Sequence, residues 1–319
     1  MTTPSNTSPS ATSGAVPDAS IQSAASSPAS IPFARLLYWS VRRELWEFRS
    51  IYIAPLAAAG LSLFGFLLST VHLPRKMHAA LALDAVKQNE LLAQPYHFAA
   101  LLIMGSTFLV SFFYCLDALH GERRDRSILF WKSLPVSDLA TVLSKACIPL
   151  LVFPLVGFVI TVVTQFIIFA GSGAVLLGSG ISVNALPGHI SLLPMWVMLF
   201  FHLFAIHGLW YAPIFGWLLL VSAWARRAPF IWATLPLLAV GIVEKIAFDT
   251  SHFANLVQSR FMGGADDIPI SDALGTSIHP LSHLELGNFL SNPGLWLGLA
   301  ITAIFLAVAV RLRRYRDPI

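Results

Sequence analysis

The sequence predicts an all-α integral membrane protein of six transmembrane helices, with an N-terminal amphipathic interfacial helix and a short cytosolic helix between the second and third spans. Three observations carry that prediction. Of 319 residues, 56% are apolar and only 11% charged, and the mean hydropathy of +0.72 lies far from that of soluble domains. Nearly uncharged runs at 51–71, 98–119, 146–170, 195–224, 228–248 and 293–310 are each long enough to cross a hydrocarbon core about 30 Å thick. Lys and Arg alternate in abundance from one connection to the next, as the positive-inside rule requires. Helical spans follow because, in lipid, every backbone amide must be bonded within its own segment.

Residues 1–32 read as a disordered tail. Ser, Thr, Ala and Pro supply 23 of the first 30 residues, the only charge is Asp18, and such a composition cannot bury a core. The tail lacks the basic start and apolar stretch of a signal peptide, so no cleavage is expected. The membrane domain occupies 33–319. Across 33–50, Phe33, Leu37, Val41, Leu45 and Phe48 recur at helical spacing with four Arg among them, the pattern of a helix lying in the inner membrane surface. The run 195–224 exceeds a perpendicular span, so it tilts, bends at Pro213 or begins as an interfacial segment. Counted once it gives six spans, whereas seven would put the two ends of the chain on opposite sides, against the charges.

Those charges sort cleanly. Arg35, Arg42, Arg43 and Arg49 precede the first span, and Arg123, Arg124, Arg126, Lys132 and Lys145 lie between the second and third. Arg226 and Arg227 separate the fourth from the fifth, and Arg311, Arg313, Arg314 and Arg316 follow the sixth. The opposite connections hold Arg75, Lys76, Lys87 and Arg260, with Lys245 near a span end. Both termini are therefore expected in the cytoplasm of a multi-pass protein of the cytoplasmic (inner) membrane. The net charge of +4 reads as topology, not as nucleic-acid binding. Cys115 and Cys147 sit near cytosolic span ends, where no structural disulfide is expected.

Between the second and third spans lies HGERRDRSILFWKSLPVSDLATVLSK, residues 120–145. Its expected helix runs from Glu122 to Leu134, with Glu122 four residues before Arg126 as a supporting ion pair and with Ile128, Leu129, Phe130, Trp131 and Leu134 as an apolar surface. Pro135 should end it, and Ser137 or Asp138 should cap the next helix. A basic loop resting on anionic lipid is the alternative.

The segments GERRDRSILFWKSLPVSD with Lys145, RRELWEFRS before the first span and WYAPIFGWLLLVSAWARRAPFIWATLP across the fourth and fifth resemble membrane subunits of ATP-binding-cassette transporters, of the type-2 export permease class. The resemblance covers most of residues 33–319. It implies an ABC exporter permease that pairs with a second copy or a paralogue and docks a separate ABC ATPase subunit through a coupling helix. Glu122, Arg123, Arg124, Asp125 and Arg126 would begin that helix, and Ile128, Phe130 and Trp131 would form its packing face, none of them catalytic. ATP and Mg would reside on the partner subunit. The residues agree independently that this chain has no fuel site of its own, since no GxxxxGK[ST] loop occurs. Replacing Glu122 is then expected to uncouple transport from ATP hydrolysis without disturbing membrane insertion.

The same resemblance implies short re-entrant helices in 249–292, whose five acids against Arg260 give a net −4; a soluble outer loop is the other reading. Polar residues within spans are pathway candidates: Gln165 with Thr161 and Thr164, then His202, His207, Trp210 and Tyr211, then Glu244 and Lys245. Interhelical hydrogen bonds, packing and snorkelling are the alternatives for these. Gly294 and Gly298 form a GxxxG suited to close helix packing. A rival from another class is a histidine-ligated metal-dependent membrane enzyme, through His279 and His283 or His202 and His207. On an α-helix, residues 202 and 207 point apart.

Overall fold

A computed structural model describes residues 32–73, 75, 84–133, 136–178, 192–262 and 286–315. The expected tail at 1–32, apart from Pro32, together with Leu134 and Pro135 and the stretch 263–285 with His279 and His283, lies outside the described residues. The described residues from Phe33 onward form one compact unit.

Among the described residues the regular elements are helices, and six are long and apolar enough to cross a membrane. Helix α1 spans Phe33–Glu47 and turns directly into the first span, α2, at Ser50–Thr70. The second span, α3, runs Ala85–Ala118, starting well before the expected residue 98. At about 1.5 Å per residue its 34 residues outreach the bilayer, because the less apolar stretch 85–97 continues the same helix beyond the core. Two short helices come next, α4 at His120–Arg124 and α5 at Ser127–Ser133. The third span combines α6 (Asp138–Cys147), a π-helical segment (Ile148–Val152) and α7 (Phe153–Gly178).

The long run 195–224 resolves into α8 (Leu192–Phe201), a second π-helical segment (His202–Trp210) and α9 (Ala212–Trp224), interrupted only at Tyr211. Pro213 has no N–H for the Leu209 carbonyl, so the ladder breaks just ahead of it. The 13 residues of α9 are too few to cross alone, and the run counts once. The fifth span is α10 (Pro229–Phe248), followed by α11 (His252–Met262) and α12 (Leu286–Ser291); α13 (Pro293–Tyr315) is the sixth.

The bundle is built on α2, α3, α7, α9 and α13, with α9 against α13 and α2 against α3 as its most extensive pairings. Its largest apolar core lies where Ile51, Tyr114, Cys115, Phe153, Phe215 and Leu219 meet. Outward-facing Leu56, Phe64, Phe98, Val159, Phe166 and Leu297 are half or more exposed, as side chains solvated by acyl chains must be. On α10 only Ala233 is buried, so this span is held chiefly at its ends.

The two π-helical segments touch. Pro154 cannot donate to the Leu150 carbonyl four residues earlier, and that oxygen sits where a Cβ on Gly208 would lie 2.8 Å away. Only glycine fits at that crossing.

Candidate functional site

Where the chain leaves α3, two backbone amides lose their helical partners. Ser222 of α9, fully buried, supplies the replacement: its hydroxyl accepts from the N–H groups of Leu119 (3.0 Å) and His120 (2.9 Å). The Ala225 carbonyl at the end of α9 then receives the Arg123 guanidinium and lies 3.2 Å from His120 Nδ1. These bonds tie α4 to α9 and aim Glu122 inward.

Glu122 enters a buried ion cluster. Lys145, 1% exposed, lies 2.9 Å from Glu44 Oε1 and 3.1 Å from Glu122 Oε1. Arg313 bonds the other Glu122 oxygen and reaches Asp138 at 3.1 Å. Arg43 pairs with Glu44, and the Tyr114 hydroxyl donates to Glu44 Oε2 at 3.0 Å. Three acids (Glu44, Glu122, Asp138) and three bases (Arg43, Lys145, Arg313) balance, so the burial of each charge is compensated. Burial pushes the Glu44 carboxyl up, and Lys145 and then Arg43 more than offset it, holding it below its ordinary value. One cluster therefore joins α1, α4, α6 and α13 at the basic end of the bundle.

The insert departs from expectation in two respects. Instead of one helix from Glu122, there are two, because Arg126 adopts a left-handed φ of 57° that breaks the ladder. Glu122 consequently does not pair with Arg126; its partners are Lys145, Arg313 and, at 3.8 Å, Arg43. The predicted coupling residues divide accordingly. Glu122, Arg123 and Ile128 are buried, while Arg124, Asp125 and Arg126 are exposed, as are Leu129 (56%) and Phe130 (60%). Trp131 lies beneath the Arg43 guanidinium at 3.8 Å, stapling α5 to α1. Ser137 does cap α6, accepting from Ala140 N–H at 3.2 Å. Because Glu122 is a structural member of the cluster, its replacement is expected to destabilise the fold, so it is a poor probe of coupling alone.

The candidate pathway residues sit in separate local contacts, apart from His207 and Tyr211, whose rings are neighbours. Gln165 donates to the Tyr96 carbonyl at 3.2 Å and accepts from the Trp196 indole at 3.0 Å, while Thr161 and Thr164 bond carbonyls of their own helix. Glu244 accepts from Thr250, His252 N–H and Phe253 N–H, capping α11, and Lys245 pairs with Asp249 at 2.7 Å. His207 is buried edge-on against Phe108 (5.8 Å) and near Tyr211 (6.1 Å). Its segment, His202–Trp210, is π-helical rather than α-helical. Among the described residues no three His, Cys, Asp or Glu side chains gather as metal ligands.

At the other end, Arg260 of α11 donates to the carbonyls of Gly294 and Trp210 and lies 4.2 Å over the Trp210 ring. The GxxxG of α13 thus receives a guanidinium, together with Pro213, at Gly298. The Tyr211 hydroxyl donates to the Phe261 carbonyl at 3.1 Å, and Phe289 of α12 packs on Phe201 and Trp210. Both described ends of the connection 249–292 therefore rest on the bundle.

Sequence reasoning placed Glu122 and Lys145 near the basic end but overlooked Glu44 and Arg313 as members of a site there. The available signal was an acid on the inner face of α1, opposite its arginines. No protein-family model, curated protein or solved structure matches this chain.

Proposed function

We propose that the chain is the membrane-spanning permease subunit of an ATP-driven exporter, moving an amphiphilic cargo with energy supplied by a separate ATPase. The observation that carries this reading is the insert: its base is fixed in the ion cluster that ties α1, α6 and α13 together, while its tip presents Leu129 and Phe130 outward. A push on the tip is delivered to three other elements at once. Driving a two-state carrier from about 1:99 to 99:1 takes about 5.5 kcal/mol of differential interaction. The near-bare α10, with only Ala233 buried, supports pairing with a second permease copy or paralogue. Six apolar spans and the use of Glu244 and Lys245 in local contacts support a cargo without fixed charge complementarity.

The test uses exposed residues so that folding is spared. In vesicles holding the chain and its co-purifying ATPase, L129E/F130E is expected to lower cargo-stimulated ATP hydrolysis at least tenfold, with an unchanged thermal midpoint. Unaltered stimulation in that variant, or transport by the purified chain without ATP, would sink the proposal.

A further inference from the structure

Arg35, Trp39, Arg42, Trp46 and Arg49 fall at i, i+4, i+7, i+11 and i+14, so they form one stripe along α1 and its exit turn, and all five are exposed. Glu44 points the opposite way, into the ion cluster. Within the stripe the Arg42 guanidinium lies over both indoles, 5.1 Å from the Trp39 ring and 5.7 Å from that of Trp46. Tyr38, also exposed, meets Trp39 edge-on at 5.5 Å.

Two indoles that are 51% and 73% exposed are poorly placed for bulk water, whereas tryptophan is the side chain that settles at the membrane boundary. The first turns of α2 fix the height of the stripe. Just beyond Arg49, Tyr52, Ile53 and Leu56 begin the exposed apolar face of α2, so the row of arginines ends where acyl chains begin. The exposed acid of α1, Glu47, lies off the stripe and 3.8 Å from Arg43. The stripe itself carries three guanidinium groups and no carboxylate.

We propose that this face of α1 is a binding surface for anionic phospholipid headgroups, with the arginines engaging phosphate and the tryptophans seated among the glycerol groups. Arginine suits the task because its planar fork grips phosphate with two bonds while stacking on an aromatic face, which lysine cannot do. The proposal requires only a membrane and stands whether or not an ATPase drives the bundle. Since Glu44 on the reverse face holds Lys145, lipid seated here bears on the helix that anchors the cluster.

The full chain is placed in nanodiscs of phosphatidylcholine alone or mixed with phosphatidylglycerol, and the lipids retained after extraction are weighed by native mass spectrometry. Wild type is expected to retain phosphatidylglycerol preferentially at low salt. R35Q/R42Q/R49Q should weaken that preference about fivefold per arginine and on the order of a hundredfold in all. R35K/R42K/R49K, which keeps the charges but loses the forks and their stacking, should fall between wild type and the glutamine variant. Brominated phosphatidylglycerol should quench wild-type emission more than that of W39F/W46F. Equal retention of both lipids by wild type would overturn the proposal, as would undiminished preference in the glutamine variant. Identical quenching in wild type and W39F/W46F would do the same, since it would mean that something other than lipid covers the stripe.

Discussion

Lys145→Met is expected to lower unfolding free energy by about 3–5 kcal/mol, because it leaves two buried carboxylates facing one another without the ammonium between them. Thermal or denaturant unfolding of the purified protein in detergent measures it. The effect should be strongly non-additive. Glu44→Gln alone removes one partner of Lys145, but the double variant E44Q/K145M removes an acid and a base together, and its loss should fall short of the sum of the single losses. Additive losses would mean that the two side chains do not act as a pair.

The same cluster sets an acid limit. The folded-state Glu44 carboxyl titrates below its ordinary 4.5, so the stability it contributes is fully present above that value and drains as pH falls through the lower folded pKa. Wild type should therefore lose stability more steeply below about pH 4.5 than Glu44→Gln does, a difference readable from thermal midpoints across an acid series. Parallel acid limbs would show that Glu44 is not held ionised by its partners.

Gly208→Ala carries the second large expectation. The added methyl would meet the Leu150 carbonyl at 2.8 Å, and backbone cannot step aside as a flexible side chain would. Separating the two π-helical segments should cost about 1–3 kcal/mol. Gly241→Ala supplies the control: nothing lies within 4 Å of that position, and it sits inside α10, where alanine should be neutral or stabilising by up to about 1 kcal/mol. Equal effects at the two positions would show that the crossing is not sterically tight.

The spans were legible because hydropathy over some twenty residues is a strong local signal, and α1 was legible because its apolar residues repeat at helical spacing. The ion cluster was not. Glu44 and Lys145 are 101 residues apart and Glu122 and Arg313 are 191 apart, and such cations are naturally first assigned to the side of the membrane they mark. The break at Arg126 escaped notice because arginine has no preference for a left-handed backbone; the turn is imposed by the anchoring of Glu122 on one side and Ile128 on the other. The π-helical segments were hidden for a related reason. Pro149, Pro154 and Pro213 announce lost hydrogen bonds, yet proline does not say whether a helix will kink, stop or widen. The partners of the polar span residues were hidden as well, since Gln165 and Glu244 find theirs at positions that no spacing rule reveals.

The guanidinium lodged at Gly294 and Gly298 has a further consequence for the sixth span. A small-residue groove is ordinarily vacant ground where another helix can approach backbone to backbone, but here Arg260 of α11 already occupies it. Pro213 of α9 takes up the rest of the groove at Gly298, so the glycines serve contacts within this chain. A helix from another chain could reach these two glycines only after both α11 and α9 had been displaced, so the motif is spent on internal packing and is not open for assembly.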